Sequence, residues 1–451
     1  MITTMNIKKV STVLLLMLVA LGFNLNGQDF NGTWSGKMEV GPRSMTIEFD
    51  IQQNDEGVAI TWASPDEGAY GLPATATISG NDLNVDIPMS GASYKGTLKG
   101  ETLEGTFSQR GMNFTLNMTR KVAGSDEQPL RPQEAAIEAD ANKPYHSEEV
   151  TFTNGNITLA GTLSMPNTGS RFPAVVLVHG TGNHDRDENI FGHKPFLLLA
   201  DELCRNGFAV LRYDKRGAGA SSPGSPEDTN VQLAEDALAA LRYLKTRPEV
   251  NAEQVGILGH SEGGSIAIMN AAAHPDEVAF IISMAGPAIN GVDMMVEQNR
   301  LLMLTQGYEM PAAVAQQLKE MFTLVATSED IPALRETLKN QMLPQTQIEQ
   351  LTSPAYRRLL QYDPAKDLQR VKCPMLAING TLDFQVSCDM NLSAIEKLVP
   401  HATVKRYEGL NHLFQTTSGW QGISSYNTIT ETIAPAVLKD ITTWLKSIIK
   451  K

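Results

Sequence analysis

An apolar run, Val255-Gly256-Ile257-Leu258, passes directly into Gly259-His260-Ser261-Glu262-Gly263 and then into the helix-like Ser265-Ile266-Ala267-Ile268. A buried strand, a turn bounded by glycines and a helix, with nothing between them, is a severe constraint. Gly259 and Gly263 leave room for a turn that side chains would block, so this elbow lifts Ser261 from the strand end with its hydroxyl exposed. Ser261 is therefore the candidate nucleophile. A lone GxSxG is a weak signal, and its weight comes from the strand before it and the helix after it.

The surrounding sequence continues that alternation. Val150-Thr151-Phe152 and Ile157-Thr158-Leu159 flank a turn at Asn154-Gly155, which predicts an opening hairpin. Continuous apolar strands are expected at Pro173–His179, Phe208–Tyr213, Val255–Leu258, Val278–Met284 and Met375–Asn379. Helical spacing is expected at Phe196–Asn206, Val231–Lys245, Ser265–Ala273 and Leu438–Ile449. Uniformly apolar strands belong to a parallel sheet covered on both faces, here a doubly wound, mostly parallel α/β sheet. The alternation breaks at about 290–368, a Met-, Gln- and Leu-rich stretch with helical periodicity. It is too long for a simple crossover and predicts a helical cap inserted over the carboxyl edge of the sheet.

The first part of the chain has a different period. From Gly32 to about Lys121, short runs such as Thr46–Ile51 and Leu83–Ile87 alternate polar and apolar residues between turn signals. This predicts a small all-β domain, a barrel or sandwich, over residues 28–121. Pro129, Pro132 and Pro144 mark a linker at 122–147, with a brief helix at Ala135–Ala141, and the catalytic domain occupies 148–451. Ahead of these, Lys8 and Lys9, the apolar Val10–Phe23 and the small residue Gly27 describe a signal peptide over 1–27. The chain is expected to be exported, periplasmic or secreted, with no stable membrane span after cleavage.

Two further residues are needed to activate a serine hydroxyl: a base, and an acid to orient that base. Of the eight histidines, His412 follows the strand-like Ala402–Tyr407 in a loop, Gly409-Leu410-Asn411-His412, near the end of the chain. Asp383 closes Met375-Leu376-Ala377-Ile378-Asn379-Gly380-Thr381-Leu382-Asp383, a strand, a glycine turn and an acid. Asp389 and Asp363 are its rivals. The order Ser261, Asp383, His412 is that of the α/β-hydrolase triad. The oxyanion hole is expected from the backbone N–H groups of Glu262 and Thr181, the latter in the glycine-rich loop His179-Gly180-Thr181-Gly182.

Blander roles suit the other marked residues. Asn183–Asp187 reads as a loop-fixing charge cluster without metal-ligand spacing, and Tyr213–Gly217 as a structural loop. Glu262 is expected to point its side chain away from the nucleophile into a salt bridge. Met294, Met295, Met303 and Met310 read as cap packing, with an adaptable apolar substrate pocket as the alternative. The cysteines, Cys204, Cys373 and Cys388, read as small buried hydrophobes. No cofactor and no metal are expected. The net charge of −13 argues against nucleic acid as a partner, because a phosphate backbone demands a basic face.

The loop from His179 to Asp187, Tyr213-Asp214-Lys215-Arg216-Gly217, Gly259–Gly263, Asn379–Asp383 and Asn411-His412 together resemble secreted bacterial carboxylesterases of the serine aminopeptidase-like branch of the α/β-hydrolase superfamily. Arg131-Pro132-Gln133 and Pro144-Tyr145 share the likeness, which runs from the linker to the C-terminus. The resemblance implies cofactor-free hydrolysis of a small-molecule ester with a short or medium acyl group. Two other uses of the same triad remain open: peptide hydrolysis from an N-terminus, with cap acids Glu309, Glu320 or Glu329 holding the ammonium, and thioester hydrolysis. For residues 28–121 the alternative is a glycan- or lipid-binding module with Trp34, Trp62 and Tyr70 as a stacking surface, against the simpler reading of these aromatics as core.

Overall fold

The structure, a computed structural model, describes residues 30–40, 43–54, 57–64, 69–87, 91–109, 111–121, 131–225, 227–423 and 425–449. The expected signal peptide at 1–27, residues 122–130 of the expected linker and the side chain of Tyr70 lie outside these residues. The chain divides into two compact units. One is built on the N-terminal strands and includes Ile331–Leu351 and Ile423–Thr428; the other spans Leu130–Asp330, Thr352–Gly422 and Ile429–Lys451.

The first unit contains β1 (Gly32–Val40), β2 (Arg43–Asn54), β3 (Gly57–Ser64), β4 (Ala69–Ser79), β5 (Asp82–Ile87), β6 (Ala92–Lys99), β7 (Thr102–Gln109), β8 (Met112–Thr115) and β9 (Met118–Arg120). All pairings are antiparallel. β1 to β6 pair in succession, β9 joins β1 to β7, and β7 pairs back onto β6, which closes a barrel and leaves β8 alongside β7. The period-two pattern explains the closure. Leu83, Val85 and Ile87 on β5 and Tyr94 and Leu98 on β6 all point inward, with polar residues between them. Trp34 and Trp62 are also buried, and the Trp34 indole N–H donates to the Phe30 carbonyl at 2.8 Å. Both tryptophans belong to the barrel core.

The second unit is a mixed sheet in the order β10 (Tyr145–Asn154), β11 (Ile157–Pro166), β13 (Ala209–Tyr213), β12 (Phe172–Val178), β14 (Val250–His260), β15 (Ile281–Met284), β16 (Met375–Gly380) and β17 (Thr403–Tyr407). The β10–β11 hairpin and its β11–β13 junction are antiparallel; every other pairing is parallel. The sheet is buried on both faces because successive residues of one strand feed different cores. Ala174, Val176 and Val178 pack with the helices Asn230–Thr246, Glu262–Ala273 and Cys388–Leu398, while Val175 and Leu177 pack with Pro195–Arg205 and Pro435–Ile448. Each fully buried aliphatic side chain contributes about 1.5–3 kcal/mol, and truncating one such as Leu258 to Ala would cost ~2–5 kcal/mol.

Local signals set the helix ends. Pro195 and Pro435 open their helices in the first turn, where a missing N–H costs nothing. Thr229 and Gln232 form a capping box at the start of Asn230–Thr246. The brief helix expected near Ala135 runs from Pro132 to Ala139 and is docked rather than free. Ile137 enters the core, the Gln133 side chain bonds the backbone of Thr432 and Ile433, and the buried Glu134 carboxylate accepts from the Lys194 N–H and the Thr432 hydroxyl. Between β15 and β16 the chain is helical, through Gly291–Thr305, Ala312–Thr327, Ile331–Asn340, Gln345–Leu351, Pro354–Gln361 and Ala365–Leu368. All three cysteines are free and buried.

Candidate active site

The parallel strands β12, β14, β16 and β17 end at the same edge of the sheet, and each hands the site one segment. Ser261 follows β14 directly and begins the helix Glu262–Ala273. Its backbone is left-handed in φ (53°) with ψ of −120°, an unusual state for a residue with a side chain. Two features hold it there. The Ser261 N–H donates to the Met284 carbonyl on β15 at 2.8 Å. The glycines on either side admit neighbouring backbone: a Cβ on Gly259 would fall within 3.0 Å of the Gly263 carbonyl, and one on Gly263 would collide with the Val178 carbonyl. The tight turn is thus a consequence of sequence, and it leaves Ser261 only partly buried.

Asp383 leaves the end of β16 and His412 the loop after β17. Their side chains meet, with His412 Nδ1 2.7 Å from Asp383 Oδ2. The carboxylate is 1% exposed and the imidazole 3%. The other oxygen of Asp383 accepts the backbone N–H groups of Gln385 at 2.7 Å and Val386 at 2.9 Å, so the acid is fully engaged and fixed in orientation. Asn411 secures the imidazole loop through bonds from the N–H groups of Leu413 and Gln415. The rival acids are elsewhere. Asp389 lies on a helix with its side chain 90% exposed near Arg406, and Asp363 bonds the N–H of Ala365.

The loop after β12 carries Gly180 and Thr181 over the elbow; a Cβ on Gly180 would sit 3.1 Å from Ser261 Cβ. The Thr181 N–H finds no acceptor among the described residues. The Glu262 N–H lies in the first turn of its helix, where amides lack intrahelical partners. The Glu262 side chain turns to Lys215, at 3.0 Å.

A buried charge system beneath these loops was not visible in the sequence. Glu188, also at positive φ (53°) and 1% exposed, accepts the Gly180 N–H at 2.5 Å and faces His260 Nδ1 at 3.2 Å. His260 Nε2 donates to the His412 carbonyl at 3.1 Å. Burial raises the Glu188 pKa, but His260, His184 and His179 outweigh it and the net value is lowered to about 2. Burial works against a charged His260, yet the Glu188 carboxylate prevails and raises its pKa. His179, fully buried against Phe196 and Tyr213, is pushed down to about 3 by desolvation. The Asn183–Asp187 segment is pinned by ion pairs of Arg186 with Asp214 and Glu149 and of Asp187 with Arg212. No cluster with metal-binding composition occurs among the described residues.

A nearly parallel sheet with helices on both faces, and an elbow serine, a loop acid and a loop histidine at one edge, defines the α/β-hydrolase fold. The chain belongs to the Hydrolase_4 family, described as serine aminopeptidase, S33, which matches residues 170–416, more than half of its 451 residues. Among its relatives is the esterase EstD of Thermotoga maritima, 29% identical over 291 residues, covering 63% of this chain and 65% of that protein. The chain thus spans less than two thirds of that esterase's length. A 2-hydroxy-6-oxononadienedioate/2-hydroxy-6-oxononatrienedioate hydrolase of Paraburkholderia phymatum is 24% identical over 294 residues, covering 62% of this chain and 95% of the relative. Among solved structures, Est1E of Butyrivibrio proteoclasticus with bound ferulic acid aligns at a TM-score of 0.43 and 17% identity, over 66% of this chain and 96% of that one.

Proposed function

We propose that this chain is an exported serine carboxylesterase acting on short or medium acyl esters, with Ser261 as nucleophile. The observation that carries the reading is the 2.7 Å bond between His412 and Asp383, formed by loops of two neighbouring strands at the edge where Ser261 stands in its turn. The family membership and the named esterase relative point the same way.

In this reading Asp383 accepts a hydrogen bond from the Nδ1–H of His412, which fixes the tautomer and leaves Nε2 as the base. Nε2 takes the Ser261 hydroxyl proton as Oγ attacks the ester carbonyl. The N–H groups of Thr181 and Glu262 receive the tetrahedral oxyanion. His412 then gives its proton to the departing alcohol, and later draws one from the water that releases the acid. Nε2 of His412 thus alternates between base and acid and finally returns a proton to Ser261 Oγ, while Asp383 only orients the ring and balances its charge, and no cofactor enters.

Aminopeptidase action with the same residues is the second reading. It needs an acid aimed at a substrate ammonium, but Glu309, Glu320 and Glu329 are exposed, and Glu320 pairs with Gln316 on its own helix. Solvated acids of this kind favour the ester. Export rests on residues 1–27 alone. The buried Trp34 and Trp62 favour a supporting role for the barrel over a stacking surface for glycan or lipid. The deciding experiment is turnover of p-nitrophenyl esters from acetate to laurate by the full chain and its Ser261→Ala variant. Turnover of short esters that disappears in the variant is expected. Cleavage of aminoacyl-anilides with no ester turnover would replace the esterase by the peptidase.

A further inference from the structure

The loop after β13 sends Lys215 into the protein, 8% exposed, to a position between two backbone segments of the candidate site. Its Nζ donates to the Gly180 carbonyl at 2.9 Å and pairs with Glu262 Oε2 at 3.0 Å. The backbone of the same residue extends the hold, because the Lys215 N–H donates to the His184 carbonyl at 3.1 Å. The His184 Nε2 in turn meets the Thr181 carbonyl at 2.9 Å.

The Gly180 carbonyl and the Thr181 N–H are the two ends of one peptide unit. In a trans peptide they point in opposite directions, so fixing the carbonyl on Lys215 aims the N–H the other way. Gly180 itself is against Ser261. The ion pair meanwhile tethers Glu262, the residue that supplies the other amide. A single ammonium therefore touches both residues or peptides from which the oxyanion would receive its hydrogen bonds.

We propose that Lys215 is a positioning residue of the oxyanion hole: it orients and polarises the Gly180–Thr181 peptide and ties it to Glu262, so that both amides are set before charge develops on the substrate. The inference rests on the reading of Ser261 as nucleophile. Preorganised dipoles of this kind act on the transition state and not on the bound ester. A lysine that only stabilised the fold would change the amount of folded protein and leave the kinetics of each folded molecule alone.

The test compares wild type, Lys215→Met and Glu262→Gln as full chains, with active sites titrated. Three quantities are read: kcat, KM for p-nitrophenyl butyrate, and the inhibition constant of phenylboronic acid, whose tetrahedral adduct mimics the oxyanion. Lys215→Met should lower kcat by about 10- to 100-fold, with KM within about twofold and boronate affinity falling in step with kcat. Glu262→Gln keeps its backbone amide and the Lys215–Gly180 bond, so about a three- to tenfold loss with the same signature is expected. It carries the test should Lys215→Met fail to fold. Unchanged kcat and boronate affinity in the folded variants would overturn the proposal, as would a loss confined to KM. Boronate binding that survives in Ser261→Ala would instead bring down the reading of Ser261, and this inference with it.

Discussion

His260 presents Nδ1 to the Glu188 carboxylate at 3.2 Å and Nε2 to the His412 carbonyl at 3.1 Å. Both ring nitrogens face acceptors, so both are donors only in the imidazolium form. The residue preceding the candidate nucleophile is thereby a buried cation that ties the loop of Gly180 to the loop of His412.

That pair sets a pH window. The Glu188 pKa is lowered from 4.5 to about 2, so its contribution is complete above 4.5 and lost as pH falls toward 2. The His260 pKa is raised from 6.5, so its contribution is complete below 6.5 and lost as pH rises through the folded value. Glu188→Gln should therefore destabilise the protein most between pH 4.5 and 6.5, by about 3–5 kcal/mol for a broken buried pair. Urea unfolding of both proteins across pH 3 to 9 measures this, and a gap that does not vary with pH would refute it.

His179 gives a second acid-sensitive term. Burial lowers its pKa from 6.5 to about 3, and the folded state holds it neutral. Its contribution is complete above pH 6.5 and lost as pH falls toward 3. In His179→Phe, which keeps a ring against Phe196 and Tyr213, the fall in stability from pH 6.5 to 4 should be shallower by about 2 kcal/mol or more. Parallel wild-type and variant curves over that range would count against the assignment.

Asp383→Asn separates orientation from folding. An asparagine can still accept the N–H groups of Gln385 and Val386, so thermal unfolding should be little changed. It can also donate toward His412 Nδ1 and so stabilise the wrong tautomer. Loss of ester turnover by about 10³–10⁴-fold is expected. Retention of more than a tenth of wild-type kcat would remove Asp383 from its proposed role.

Gly263→Ala probes the elbow itself. The added Cβ meets the Val178 and His179 carbonyls, which are backbone and cannot swing aside. A destabilisation of about 3 kcal/mol or more is expected, with active-site labelling lost even in the folded fraction. Wild-type melting and labelling would show that the turn has slack the structure does not display.

Burial pushes the thiols of Cys204 and Cys388 up to about 12 and that of Cys373 to about 11. None should react with Ellman's reagent at pH 8 in the native protein, and all three should react once it is unfolded. Fast labelling of any native thiol would contradict the packing.

Residues that depend on a local pattern were legible in the sequence. Ser261 is flanked by a strand and a helix, Asp383 ends an apolar strand with a glycine turn, and His412 follows a strand near the chain end. Each could be singled out from its own neighbours, and the α/β sheet and β-rich N-terminal unit followed from their periods. Lys215, Glu188 and His260 act across distance: Lys215 bonds a residue 47 positions away and His260 one 72 positions away. Their neighbours in sequence carry no trace of those partners. The docking of the helix Pro132–Ala139 is of the same kind, since Gln133 bonds residues some 300 positions later. Helical spacing marked the stretch between β15 and β16 as helical, but gave no sign that Ile331–Leu351 groups with the N-terminal unit.

The arrangement of strand ends also has a consequence in time. Thr181, Ser261, Asp383 and His412 come from four segments that reach one edge only when β12, β14, β16 and β17 all stand in the sheet. Parallel pairing of that kind closes long stretches of chain and is slow. On the proposed reading, a growing or partly folded chain carries the elbow serine before the histidine proposed as its base has reached the same edge. On that reading the chemistry is withheld until the last strand has been placed, which would make a completed fold the condition for reactivity.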